Sequence, residues 1–146
     1  MKNLEASFSI FTMKGVLPFL LRGVAFTVVI SAVAVLVGVV FGYLLAIARN
    51  YCTKKDNRIL GILATLYIEL FRNTPLLLWI FICLVFLPIP GFLKRKMLGL
   101  SSVEAGLLFK GAFALILFES SVIAEIVRGG LNAIPAGQFE AAKSQG

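Results

Sequence analysis

Three long apolar runs separated by short polar stretches dominate the hydrophobic pattern of the chain. The first run, Gly23–Ala48, contains no charged residue. About 20 apolar residues are enough for a helix to cross the hydrocarbon core of a bilayer, so this run is long enough to span a membrane. The pattern predicts an all-α membrane protein with three transmembrane helices, at about residues 19–48, 59–87 and 103–127.

Each predicted span carries a feature that affects its packing. Gly38 and Gly42 in the first span lie four residues apart and share one helix face, where another backbone can approach closely. Pro75 interrupts the second span, because a proline removes one backbone hydrogen bond and kinks a helix. The third span contains Lys110, Glu119 and Glu125 and is therefore the least compatible with lipid.

The two ends of the chain differ from the spans. Residues 1–18 mix charged and apolar side chains, which predicts a segment lying along the membrane surface. Residues 128–146 form a separate segment in which Pro135 suits the first turn of a helix. Good helix formers follow at 138–143, and two adjacent alanines leave a shallow face. This pattern predicts a short helix that docks against another protein, and the whole chain, 1–146, forms a single membrane domain.

Composition and charge exclude several classes of protein. Sixty per cent apolar residues, 14% charged residues and a mean hydropathy of +0.98 are not those of a soluble domain. The net charge of +7 comes from basic residues at span ends and in short loops, so no nucleic-acid partner is expected. The loop Arg49–Arg58 has four basic residues, which predicts that it is cytoplasmic and that the N-terminus lies outside. Lys94–Lys96 then lies on the outer side, against the usual charge bias.

The chain lacks the residue patterns of a catalytic or metal site. It contains no histidine, and Cys52 and Cys83 have neither metal-ligand spacing nor a disulfide framework. No phosphate-binding glycine loop and no paired carboxylates of a soluble cleft are present. We therefore expect no catalytic residue, no metal ligand and no enzymatic activity.

Polar residues inside the predicted spans are the candidates for function, because charges are costly in hydrocarbon. Glu69 and Arg72 lie three apart and can pair on one helix face. They either line a polar path beside the proline or form a structural ion pair at a broken helix. Glu119 and the two serines after it either line the path or hold the helices together. The candidate path residues are Glu69, Arg72, Asn73, Thr74, Pro75, Glu119, Ser120 and Ser121.

Glu125 and Arg128 lie three apart near the cytoplasmic end of the third span. This spacing predicts an ion pair with a structural role at an interface.

Three motifs resemble a known family. The terminal segment resembles the cytoplasmic coupling signature of the membrane subunits of binding-protein-dependent ABC importers, through the run Gly137-Gln138-x-Glu140-Ala141-Ala142-x-x-x-Gly146. The segments Phe71–Leu77 and Ala124–Leu131 are similar to the branch that imports polar amino acids, of the histidine, glutamine and glutamate type. The motifs occur in order and cover most of the chain.

This resemblance implies a permease subunit of five spans in the bacterial plasma membrane, of which the chain is the N-terminal part. The implied partners are a cytoplasmic ABC ATPase, an extracytoplasmic amino-acid-binding protein, and a second permease subunit, either identical or a sister chain. ATP would bind to the ATPase, so the chain itself would hold no cofactor. The residues implied in ATPase contact are Gly137, Gln138, Glu140, Ala141, Ala142 and Gly146.

The implied function is ATP-driven uptake of polar amino acids. The coupling helix would act on the third span as a lever, through Gly129–Gly130, and rock the bundle between its two openings. Family members continue beyond the signature with two more spans, so the chain is expected to be a fragment or a truncated product that does not transport alone. The alternatives are a small membrane structural or assembly protein and a channel-forming subunit.

Overall fold

A computed structural model describes residues 15–51, 58–94 and 99–146. The regular elements in these ranges are helices, as the apolar pattern predicts. The elements are α1 (Val16–Tyr51), α2 (Arg58–Arg72), α3 (Leu76–Phe86), a 3₁₀ turn (Gly91–Lys94), α4 (Ser102–Asn132) and α5 (Ala136–Ser144). Most of the predicted surface segment, 1–14, and most of the predicted inner loop, 52–57, lie outside the described residues.

Two helices are long and apolar enough to cross a membrane by themselves, α1 and α4. They contain 36 and 31 residues. At a rise of 1.5 Å per residue, both are longer than the roughly 30 Å of hydrocarbon in a bilayer. Helix α1 begins at Val16, so residues 16–18 belong to it and not to a separate surface segment.

The second apolar run forms two helices with a sharp break between them. Helices α2 and α3 meet at a bend of 103°, a larger change of direction than a proline kink. Pro75 adopts an extended conformation (φ −62°, ψ 136°) before α3, and a proline also disfavours helical geometry at the residue before it. The 11 residues of α3 are too few to cross a bilayer. The described helices therefore provide two spans, or three if the bent pair counts as one.

Helices α1 and α4 run parallel and lie in contact along their lengths. Contacts between them join Arg22 to Glu104 at one end and Arg49 to Glu125 at the other. In the middle, a Cβ atom on Gly42 would lie 2.8 Å from the side chain of Ile123. The close approach therefore requires glycine at this position, which agrees with the predicted packing face.

Helix α3 is fixed to α4 by a charged side chain. Lys110 Nζ donates a hydrogen bond of 2.7 Å to the carbonyl of Leu84 in the last turn of α3. The last carbonyls of a helix lack intrahelical donors and favour a cation nearby. This contact accounts for a lysine in an apolar run.

The joint before the terminal helix lies at residues 133–135 and not at Gly129–Gly130. Helix α4 continues through both glycines to Asn132. A glycine in a helix costs only about 1 kcal/mol, whereas Pro135 disfavours helical geometry at the residue before it. The predicted lever point at the glycine pair was therefore wrong, and residues 128–132 of the predicted terminal segment belong to α4.

Candidate functional site

Five charged side chains from three helices meet near the C-terminal ends of α1 and α4. We call this group the ionic cluster, and its members are Arg49, Glu69, Arg72, Glu125 and Arg128. Helix α1 contributes the first, α2 the next two and α4 the last two. The cluster thus joins the three helices at one level of the molecule.

Glu125 is the centre of the ionic cluster. Its Oε2 atom accepts a hydrogen bond of 2.8 Å from Arg49 Nη1 and lies 3.7 Å from Arg72 Nη1. Its other oxygen accepts a bond of 2.9 Å from Arg128 Nε and a further one from Arg128 Nη2. The side chains of Glu125 and Arg49 are only 21% and 22% exposed. One half-buried carboxylate therefore contacts three arginines.

Glu69 occupies the edge of the ionic cluster. Its Oε1 atom lies 3.5 Å from Arg49 Nη2, and its side chain is 56% exposed. The predicted pair of Glu69 with Arg72 is not among the ion pairs of the described residues. Arg72 is the last residue of α2 and contacts Glu125 of α4, while Glu69, nearly one turn earlier, contacts α1. The predicted pair of Glu125 with Arg128 is confirmed.

A small apolar layer lies beside the ionic cluster. Ala46, Ile68 and Ala124 are almost fully buried and contact one another at the crossing of α1, α2 and α4. Each is next to, or three residues from, a charged member of the cluster. The charged side chains therefore surround a point where the three helices are already in close contact.

The serines of the third apolar run are bonded within the protein. Ser120 and Ser121 are buried, and their hydroxyls donate to the carbonyls of Leu117 and Phe118 at 2.9 and 2.6 Å. The hydroxyl of Tyr67 in α2 lies 2.8 Å from Ser120 Oγ and donates to Leu117 at 2.9 Å. Ser120 thus joins α2 to α4, although it also borders an apolar cleft of about 340 Å³.

Glu119 differs from its serine neighbours. Its side chain is half-buried at the middle of the contact between α1 and α4, where its Cβ faces Gly38. Within the part of the chain that the structure describes, its carboxylate makes no hydrogen bond and no ion pair. It is therefore a carboxylate in an apolar helix with no partner among the described residues, which is costly in hydrocarbon.

Residues 73–75 form the break between α2 and α3. The hydroxyl of Thr74 donates to the carbonyl of Leu70 at 2.7 Å and accepts a bond of 2.6 Å from Trp79 Nε1. The backbone N–H of Asn73 donates to Glu69. The structure thus places the predicted path residues at two separate places, the ionic cluster with the adjoining break and the middle of α4.

Helix α5 lies apart from the other helices. Its residues with described side chains, 137–144, are exposed. In that range we find hydrogen bonds only within the terminal segment, such as Ser144 Oγ to the carbonyl of Ala141 at 2.7 Å. Phe139 is 49% exposed. The described side chains of this helix are therefore accessible on its surface.

Comparison with known proteins supports the family resemblance that the sequence motifs indicate. Residues 38–146 match the model of the family described as binding-protein-dependent transport system inner membrane component. The putative glutamine transport system permease protein GlnP of Rickettsia conorii is 35% identical over 126 residues, which are 86% of this chain and 51% of that protein. The glutamate/aspartate import permease protein GltK of Escherichia coli is 34% identical over 133 residues, 89% of this chain and 55% of that protein.

A third relative and a solved structure extend the comparison. The inner membrane amino-acid ABC transporter permease protein YhdY of Escherichia coli is 35% identical over 84% of this chain and 30% of its own length. The crystal structure of an amino acid ABC transporter with histidines matches with a TM-score of 0.67 and 26% identity, over 97% of this chain and 56% of that one. The chain spans about half the length of most of these relatives, and it belongs to the family of inner membrane components of binding-protein-dependent transport systems.

Proposed function

We propose that this chain is part of the permease subunit of an ATP-driven importer of polar amino acids, in a bacterial plasma membrane. The observation that carries the proposal is α5, an exposed helix with the coupling signature, joined to a long apolar helix whose end is fixed by the ionic cluster. The names of the relatives, which refer to glutamine, glutamate and aspartate, support the class of cargo.

The partners follow from this assignment. A cytoplasmic ABC ATPase contacts α5 through Gly137, Gln138, Glu140 and the alanines that follow. An extracytoplasmic binding protein delivers the amino acid, and a second permease subunit completes the path. ATP binds to the ATPase and not to this chain, so the chain is a transport subunit and not an enzyme. The start of α1 lies outside the cell and α5 lies inside.

Movement of the ATPase displaces α5, and the displacement reaches α4 through residues 133–135. The helix α4 then tilts together with the helices fixed to its end, and the bundle alternates between outward and inward openings. Glu119 is the strongest candidate for contact with the cargo or with water in the path, because its carboxylate lacks a partner in the described residues. The hydroxyls of Ser120 and Ser121 are already bonded to backbone carbonyls.

The substitution Glu140→Lys tests the proposal in the complete transport complex. It reverses the charge of a signature residue on the exposed face of α5, so we expect uptake per ATP hydrolysed to fall about tenfold or more, with membrane insertion unchanged. The measurement is uptake of radiolabelled glutamine or glutamate into proteoliposomes, together with ATP hydrolysis.

The matched control is Lys143→Glu, which reverses a charge on the same helix at a position that the signature leaves variable, and it should leave uptake near normal. Normal uptake by the Glu140→Lys complex would contradict the proposal. Purification without an ATPase would favour an assembly protein, and ion conductance without ATP would favour a channel.

A further inference from the structure

The end of α4 is the place where the terminal helix is joined to the bundle. Helix α5 makes no hydrogen bond or ion pair with the other helices among its described residues, so a force on α5 reaches the bundle through 133–135 and the last turns of α4. Glu125 lies about two turns before this joint. Whatever Glu125 binds is therefore held to the part of α4 that moves first.

Glu125 holds this part of α4 to two other helices. Arg49 joins it to α1 at 2.8 Å, and Arg72 joins it to α2 at 3.7 Å. Arg128, nearly one turn further along α4, bonds to the same carboxylate and fixes its orientation. Removal of the carboxylate would leave three guanidinium groups close together, with the exposed Glu69 at their edge.

Helices α1 and α4 are also joined away from the ionic cluster. At their other end, Arg22 Nη2 lies 3.6 Å from Glu104 Oε1 and donates to the carbonyl of Gly99 at 3.2 Å. Between the two ends, the glycines of α1 allow close backbone contact with α4. These contacts hold the rest of α1 to α4, and the pair of Arg49 with Glu125 holds their inner ends together.

We propose that Glu125 is a positioning residue that transmits the movement of α5 to α1 and α2 together, by holding Arg49 and Arg72 against the end of α4. This inference rests on the proposed function and goes beyond it, since it assigns the transmission to one carboxylate. The ion pairs add to the glycine contacts of α1 and the Tyr67 hydrogen bonds of α2, so that the ends of the three helices move together.

The substitution Glu125→Gln tests the inference in the complete reconstituted complex. Glutamine keeps the size of the side chain and removes its charge. We expect uptake per ATP hydrolysed, counted per assembled complex, to fall by about 5- to 150-fold. Glu125→Asp, which keeps the charge, should restore part of the loss.

The matched control is Glu104→Gln. It neutralises the carboxylate that pairs with an arginine of α1 at the opposite end of α4, where both side chains are 48% exposed. We expect this variant to stay within about twofold of the parent, because exposed ion pairs contribute little. An equal effect of both substitutions would overturn the inference.

A double-mutant cycle separates transmission from a merely structural effect. If Glu125 acts through Arg49, then adding Arg49→Gln to Glu125→Gln should lower the uptake ratio by less than the two single effects combined. If the fold-change of the double variant equals the product of the two single fold-changes, the inference is overturned. So would a Glu125→Gln complex that is only less abundant, with a normal ratio of uptake to ATP hydrolysis.

A distance measurement keeps this test separate from that of the proposed function. Spin labels at Lys143→Cys on α5 and Leu63→Cys on α2, with Cys52 and Cys83 replaced, report the position of α5 relative to α2. We expect the distance distribution to broaden in Glu125→Gln and to stay narrow in Glu104→Gln. An unchanged distribution in Glu125→Gln overturns the inference, whereas a parent complex without uptake overturns the proposed function alone.

Discussion

At the scale of single residues, glycine decides how closely α1 and α4 approach. A Cβ atom on Gly42 would lie 2.8 Å from Ile123 Cβ and from the carbonyl oxygen of Ser120, closer than real Cβ contacts come. At Gly38 the nearest atom, Glu119 Cβ, would lie at 3.1 Å. A backbone carbonyl does not rotate away as a long side chain does. Gly42 therefore tolerates an added Cβ less well than Gly38 does.

Gly42→Ala should therefore destabilise the protein. Overpacking costs about 1 to 3 kcal/mol, and the better helix propensity of alanine offsets about 1 kcal/mol of it, so we expect a net loss of up to about 2 kcal/mol. The measurement is the free energy of unfolding in detergent. Gly23→Ala is the matched control on the same helix, because no atom lies within 4 Å of its added Cβ, and it should be neutral or slightly stabilising.

At the scale of elements, the start of α4 is set by a capping box. Ser101 Oγ accepts a hydrogen bond of 3.2 Å from the backbone N–H of Glu104, and Glu104 Oε2 accepts one of 2.8 Å from the backbone N–H of Ser101. These bonds satisfy two donors that a helix start otherwise leaves unpaired. The same Glu104 contacts Arg22, so the cap also joins α4 to α1.

Ser101→Ala removes the hydroxyl that caps α4 and should cost about 1 kcal/mol. Because the loss is local, we expect faster amide hydrogen exchange in the first turn of α4 and unchanged exchange in its middle. Ser102→Ala is the matched control, since the hydroxyl of this neighbouring serine has no bond in the described structure. Equal exchange in the two variants would show that the box does not stabilise the helix start.

The sequence predicts the elements better than their contacts. Apolar length places α1 and α4, and Pro135 places the start of α5, because both signals are local. The partners of Glu125 depend on how α1 and α4 are aligned, and Arg49 lies 76 positions away in the chain. Spacing on one helix pairs Glu69 with Arg72, but the end of α2 and the bend after it bring each residue to a different helix. The centre of the site was therefore not predictable from local pattern.

At the scale of the whole molecule, the parallel course of α1 and α4 gives the described part of the chain one outer end and one inner end. The starts of both helices lie together, as the contact of Arg22 with Glu104 shows, and their ends lie together at the ionic cluster. Two parallel helices must enter a membrane from the same side. Once the starts of α1 and α4 are assigned to one side of the membrane, their ends must lie on the other side.

Labelling in intact cells checks this arrangement. A maleimide that cannot cross membranes should modify Leu17→Cys and Val103→Cys from outside, because both residues are exposed at the start of a parallel helix. Lys143→Cys should react only after the cells are permeabilised. Labelling of Lys143→Cys from outside would contradict the cytoplasmic location of α5 and the proposed ATPase contact.

The parallel contact also bears on the basic residues Lys94–Lys96, which precede α4 in the sequence. In the orientation proposed above they would lie on the outer side, where the charge bias of membrane proteins disfavours them. A helix inserted alone could turn around and bring these charges to the cytoplasm. Helix α4 cannot do so without giving up its glycine contacts and both ion pairs with α1. The contacts between the two helices thus keep α4 pointing in the same direction as α1.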